Sequence, residues 1–293
     1  MDEYAVGVLT NIGLVSFLAL SAYLLLIAGE LSFGQQAFFG VGAYAAGIGT
    51  AMLGWPLPVA VLASMLLGAL AALLVALPTL RLRGLYFAMA TLAAAEMMRI
   101  AFELLHWQID IGGERIGPDG AQGFRGIRWI FERGVEPEGF LVMVWALLAA
   151  VVVGFLWMER SRLGVTLRAT GQDPELARSL GIDVERLKLG VVAASGALAA
   201  LGGALFAHHN SYIEPRNFDM MLGVHSLSYA LIGGLGTVLG PLLGAALDIG
   251  VLESSRFLQG YRMIVFGGLV AVLLIYRPRG LLDERLVDAW RRR

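Results

Sequence analysis

The apolar residues of this chain are gathered into blocks long enough to cross a bilayer. Runs at 4–28, 58–80 and 140–158 approach or exceed the roughly 20 residues that a spanning helix needs, and a shorter run lies at 263–276. Ala and Leu dominate these runs and period-two alternation is missing, so they predict helices and not a β-barrel. Helices satisfy every backbone amide within the segment, which hydrocarbon requires. Charge content agrees: 15% of the 293 residues are charged, against about a quarter in an ordinary soluble domain. The expected fold is therefore an all-α polytopic membrane protein, with roughly 8–10 membrane segments in a single transmembrane domain over residues 1–293. Asp2 and Glu3 are acidic where a secretory signal is basic, so the first run is expected to be a retained span.

Several function classes fall away at this stage. With 22 basic and 23 acidic residues, bulk charge predicts no nucleic-acid partner. The absence of cysteine removes disulfides, thiol catalysis and cysteine–metal sites. Lys188 is the only lysine, and no glycine–lysine phosphate loop surrounds it, so the chain carries no nucleotide motor of its own. Neither a His-Glu-x-x-His nor a Gly-x-Ser-x-Gly string occurs, and no enzyme is expected. His208 and His209 offer too few ligands for a metal and are expected at the membrane interface.

Arginine placement sets the topology. Basic residues concentrate at Arg81 and Arg83, within 159–188, and in the tail 277–293, and the positive-inside tendency puts all three in the cytoplasm. The polar insert 106–139 carries four Arg against two Asp and four Glu, so it is expected outside. Residues 85–105 then run outward, 140–158 inward, and 189–208 outward again. The stretch 223–252 must start and finish on one side. Its centre, Gly233-Gly234-Leu235-Gly236-Thr237-Val238-Leu239-Gly240-Pro241, is poor helix-forming sequence. Two readings stay open there: broken, re-entrant half-helices of the kind that border transporter sites, or tightly packed helices whose glycines allow close approach. Gly34, Gly40, Gly42, Gly47 and Gly49 give the run after residue 31 a similar small-residue face.

The cytoplasmic loop 159–187 contains the most informative punctuation. Asp173 suits an N-cap, Pro174 the first helical position, Glu175 the positive helix end, and Gly181 a left-handed C-cap. The enclosed helix, with Leu176, Ala177, Arg178 and Leu180, is too short to be stable alone in water. It either docks into a groove on another protein or folds against its own membrane domain.

This capped turn resembles the coupling loop of ABC importer permeases. The chain as a whole is similar to permeases of high-affinity branched-chain amino acid uptake systems, in a wider group that includes ribose-type and urea-type permeases. The resemblance rests on LSFGQQAFFGVGAYAA at 31–46, RLRGLYFAMATL at 81–92, the segment 171–181, GGLGTVLGPLLG at 233–244 and YRPRGLL at 276–282, in order over nearly the whole chain. The outer-loop string Gly112-Gly113-Glu114-Arg115-Ile116-Gly117 departs from the family pattern in length and charge. The resemblance implies a multi-pass inner-membrane subunit with a cytoplasmic C-terminus. It also implies two ATP-binding cassette subunits docking at Asp173, Pro174, Glu175, Leu176, Ala177, Arg178, Leu180 and Gly181. A second, related permease and a periplasmic substrate-binding protein complete the implied assembly. No cofactor is expected, since ATP would be bound by the partners.

Polar groups inside lipid are expensive and are site candidates by default. Gln35, Gln36, Ser226, Ser228, Tyr229, Gly233, Gly234 and Thr237 are the expected substrate path. Glu96 and Arg99, three apart on one helix, either pair or form part of a proton relay. Asp248 is expected beside a Ser or Tyr. An ion-coupled carrier using Glu96 and Asp248 is the competing class, and urea, amides or small organic acids are competing substrates.

Overall fold

The computed structural model describes residues 2–82, 84–111, 113–253, 262–277 and 280–282. Arg83, Gly112, Pro278, Arg279 and the basic tail from 283 onward, all used in the sequence reading, lie outside the described residues. In chain order, α1 spans Glu3–Ile27, α2 Gln35–Gly47 with a π-helical continuation Ile48–Met52, α3 Leu57–Thr79 and α4 Leu85–Leu104. Strands β1 (Ile109–Ile111), β2 (Glu114–Pro118) and β3 (Phe124–Arg125) and the single turn α5 (Trp129–Glu132) follow. Next come α6 (Pro137–Arg160), α7 (Arg162–Gln172), α8 (Pro174–Ser179), α9 (Val184–Asn210) and β4 (Tyr212–Ile213). The last helices are α10 (Met220–Gly233), α11 (Leu239–Ala245) with a π-helical continuation Ala246–Glu253, and α12 (Arg262–Tyr276).

Five of these, α1, α3, α4, α6 and α9, are long and apolar enough to cross a membrane, and the chain is an all-α polytopic membrane protein. Helix α3 shows why such a sequence fits lipid. It starts behind Pro56, with Pro58 in the first turn where a missing amide hydrogen costs little. Apart from Leu57 at its start, its buried positions are small: Ala60, Ser64, Gly68, Ala71, Ala72 and Ala76. Its exposed positions include Leu62, Leu66, Leu70 and Leu74. Large residues outside and small ones inside are the membrane pattern, in which close backbone approach replaces a hydrophobic driving force between helices.

The chain divides into two compact units. One gathers residues 1–29, 137–182 and 225–293, and the other residues 30–136 and 183–224. In the second unit α2, α3 and α9 pack together through glycines. A Cβ on Gly42 would run into the Ala200 backbone, one on Gly203 into the Phe39 carbonyl, and Gly68 and Gly196 face each other. The expected small-residue face of α2 is thus present, with Gly42 as its point of closest approach.

The insert at 106–139 has structure of its own. Strands β1, β2, β3 and β4 form an antiparallel sheet in that order, β3 pairing with β4 through Phe124–Ile213 and Arg125–Tyr212. The sheet therefore ties the insert to the segment that follows α9. Phe124, Ile127 and Ile213 are buried beneath it.

In the first unit α1 is buried along most of its length. Ile12, Val15 and Ala19 of α1 pack against Tyr229 and Ile232 of α10, Ala245, Ile249, and Phe266 of α12. Helices α10 and α11 form a hairpin around the glycine-rich turn. A Cβ on Gly233 would strike the Gly240 carbonyl, one on Gly240 the Gly234 carbonyl, and one on Gly244 the Tyr229 carbonyl. Both readings of 223–252 describe part of this arrangement: short helices meet at a break, and glycines let their backbones touch.

Candidate functional site

The short helix α8 is built as its sequence predicts. The Asp173 carboxylate accepts hydrogen bonds from the Glu175 and Leu176 amides, both at 3.0 Å, and Pro174 opens the helix. Gly181 has φ +83°, and the Ile182 amide donates to the Ala177 carbonyl at 3.1 Å to close the C-terminal end. Arg178 and Glu175 form an ion pair at 3.0 Å. Ala177 points inward, 2% exposed, whereas Leu176 and Leu180 are 58% and 71% exposed. The outward face is thus two leucines beside a self-neutralised ion pair, and Ala177 anchors the helix to its own chain.

Residues of α6 and α7, which precede α8 in the chain, form a polar clasp on the glycine-rich turn. One oxygen of Glu159, near the end of α6, accepts from the Tyr23 hydroxyl at 2.7 Å and from the Val238 amide at 2.9 Å. The Arg168 guanidinium of α7 donates to the Leu235 and Gly236 carbonyls, each at 3.3 Å, and stands 3.7 Å from Glu159. On the C-terminal side, the Leu281 and Leu282 amides donate to the Ile232 and Gly233 carbonyls, both at 2.9 Å. Carbonyls at the end of α10, which lack helical partners, are satisfied in this way. Sequence reasoning used Arg168 only as a positive-inside marker and missed the clasp, because a backbone acceptor leaves no residue-type signal.

Tyr229 lies at the centre of a second cluster. Its hydroxyl donates to Asp248 at 2.7 Å, and His225 Nδ1 lies 3.1 Å from that hydroxyl and 3.4 Å from Asp248. The His225 ring stacks on Phe266 at 4.8 Å between centroids. All three polar residues are buried. Asp248 meets a tyrosine as expected; His225 went unnoticed because a lone histidine on an apolar run has no distinguishing neighbour in sequence. Ser226 and Ser228 are buried on the same helix, and Gly233, Gly234 and Thr237 are buried at the turn.

Gln35 and Gln36 belong to the other unit. Gln35 accepts from Ser195 of α9 at 3.0 Å, and Gln36 lies against Gly223. In that unit Arg99 donates to Glu96 at 2.8 Å and also pairs with Glu103, so the pairing reading of Glu96 and Arg99 holds, with an extra partner. Helix α9 runs on to Asn210, and His208 is fully buried, 2.9 Å from Thr50 and 2.7 Å from the Ala204 carbonyl. Lys188 pairs with the buried Glu30. Among the described residues no group of three or more His, Asp or Glu is placed to hold a metal ion.

Five helices long and apolar enough to cross a bilayer, with a capped turn between α7 and α9 and a glycine hairpin between α10 and α11, define a multi-pass membrane protein. The chain belongs to the branched-chain amino acid transport system permease component family, whose sequence profile matches residues 4–276. It is 30% identical to the high-affinity branched-chain amino acid transport system permease protein LivM of Escherichia coli K12 over 283 residues, covering 87% of this chain and 64% of that protein. BraD of Pseudomonas aeruginosa is 30% identical over 159 residues, 53% of this chain and 51% of BraD. LivH of Salmonella typhimurium is 30% identical over 152 residues, 51% of this chain and 47% of LivH. The chain therefore spans just under two thirds of the length of the LivM protein it matches. No solved structure matches it.

Proposed function

We propose that this chain is a permease subunit of an ATP-driven importer for branched-chain or related small amino acids. It works as one transmembrane permease domain in the inner membrane, with the loop 159–187 and the tail 277–293 in the cytoplasm and the insert 106–139 outside. The observation that carries this reading is α8: a helix held at both ends by caps, with Ala177 anchored inward and Leu176 and Leu180 facing out. Two exposed leucines on a preformed turn suit a cleft on a soluble subunit, since the ordering entropy has already been spent. Two ATP-binding cassette subunits and a second, related permease complete the assembly. A soluble binding protein delivers the amino acid to the sheet of β1–β4, which joins both outer segments into one surface. The substrate path includes Gln35, Gln36, Ser226, Ser228, Tyr229, Gly233, Gly234 and Thr237.

An ion-coupled carrier would need free carboxylates in the membrane. Glu96 is neutralised by Arg99, which leaves Asp248, with Tyr229 and His225, as the relay that reading has to use. Urea, amides and small organic acids remain the competing cargoes within the importer reading. The test is affinity purification of the tagged chain from gently solubilised membranes, comparing wild type with Leu176→Asp plus Leu180→Asp. These positions are exposed, so the pair of substitutions should leave the fold intact where Ala177→Arg would not. An ATPase subunit is expected with the wild type and absent from the variant. If no ATPase accompanies the wild type, the importer reading fails and the Asp248 carrier takes its place.

A further inference from the structure

We propose that Glu159 and Arg168 are positioning residues that lock the α10–α11 turn to α7, so that movement of α8 reaches the glycine hairpin. The inference rests on the reading of α8 as the docking point of an ATPase. Helices α7 and α8 meet at one residue. The Asp173 amide donates to the Ala169 carbonyl at 3.0 Å, ending α7, while the Asp173 side chain caps α8. The corner is also fixed from behind, where Gly171 packs against the end of α1 so closely that a Cβ would strike the Ile27 carbonyl. A push on α8 is therefore passed to α7 and not absorbed at a hinge.

From α7, Arg168 reaches the turn. The turn offers few side-chain handles, since Gly233, Gly234, Gly236 and Gly240 surround it, and its backbone is what a partner can grip. Arg168 holds two consecutive carbonyls, Leu235 and Gly236, and Glu159 holds the Val238 amide two residues later. One basic and one acidic group thus seize the turn from opposite polarities. Tyr23 steadies Glu159, whose side chain is only 5% exposed, and Arg168 provides the neighbouring positive charge. The hairpin held in this way carries Tyr229, Ser226 and Asp248 on its arms, and its two arms touch backbone to backbone at three glycines. A rigid hairpin moved from its tip displaces those polar groups together.

A cap that merely stabilises the turn predicts loss of protein. A transmission role predicts loss of coupling in protein that is present and folded. The assay uses the chain with whatever ATPase and permease subunits co-purify, reconstituted in proteoliposomes, with leucine as the probe. Uptake and ATP hydrolysis are measured together, alongside thermal unfolding of the same samples. Arg168→Gln is expected to keep the ATPase bound and its hydrolysis within about twofold of wild type, while leucine moved per ATP falls at least tenfold. Arg168→Lys keeps the charge but not the two-carbonyl fork, so its ratio should fall between the two. If Arg168→Gln does not accumulate, Glu159→Gln carries the test: it is nearly isosteric but removes the negative charge that faces Arg168 and turns one acceptor oxygen into a donor, and the leucine-to-ATP ratio is expected to fall in the same direction. An unchanged leucine-to-ATP ratio in a folded variant overturns the proposal. So does a parallel fall of uptake and hydrolysis that tracks lowered thermal stability. Loss of the ATPase already from the wild type refutes the docking reading, a different failure, and this proposal with it.

Discussion

Gly240 sits where α11 begins, and a methyl group there would meet the carbonyl oxygen of Gly234 and the backbone of Gly233. Neither neighbour is a flexible side chain that could move aside, so the two backbones of the hairpin would have to part. Gly267 of α12 is the opposite case, since nothing lies within 4 Å of the place its Cβ would occupy. Gly240→Ala should therefore sharply reduce the membrane-inserted, protease-resistant protein, while Gly267→Ala should leave it near wild type and gain slightly in helix propensity. Immunoblots of membrane fractions after limited proteolysis measure both. Equal tolerance of the two substitutions would show that the hairpin is not packed backbone to backbone. At this scale the glycine clusters were legible because composition marks them directly. The groups that grip them were not, since Arg168 binding a carbonyl and Arg160 facing water look alike in sequence.

Among the elements, α8 was the most legible, because every capping residue is a local signal: Asp173, Pro174 and Gly181 fall where short-range sterics and amide satisfaction require them. Removing the cap tests how far that local order matters. Asp173→Ala deletes the acceptor for two amides and should cost about 1 kcal/mol of local helix stability. In a six-residue helix that is enough to fray the turn. The expected result is faster amide hydrogen exchange at 175–179 and weaker retention of the ATPase, with Asp173→Asn restoring both. Unchanged exchange would mean that Ala177 and the Ile182–Ala177 bond hold the turn without the cap. The strands were illegible for the opposite reason. β3 and β4 are two residues each and pair across a long stretch of sequence, so no alternating pattern has room to form. The spanning helices needed only length and hydropathy, and α1, α3, α4 and α6 fall close to the apolar runs that announced them, with α9 beginning earlier, at Val184.

For the whole molecule, the orientation in the bilayer rests on one crossing. Helix α6 has 24 residues from Pro137 to Arg160, about 36 Å at 1.5 Å per residue, against a hydrocarbon core of about 30 Å. It carries charge only at its ends, Glu138 in the first turn and Glu159 and Arg160 in the last. On the proposed topology the segments on either side of it lie in different compartments, and the arginines of 160–186 mark the second as the cytoplasmic one. The chain contains no cysteine, so a single introduced thiol reports its own position without background. Glu136 and Leu180 are both exposed and flank the crossing. In intact cells whose outer barrier admits small reagents, a membrane-impermeant maleimide should label Glu136→Cys at once. It should reach Leu180→Cys only after the inner membrane is opened. The reverse pattern would put α8 outside, beyond the reach of any cytoplasmic ATPase. Labelling of both sites in sealed cells would mean that α6 does not span, and the α7–α8 corner could then carry no force from one side of the membrane to the other.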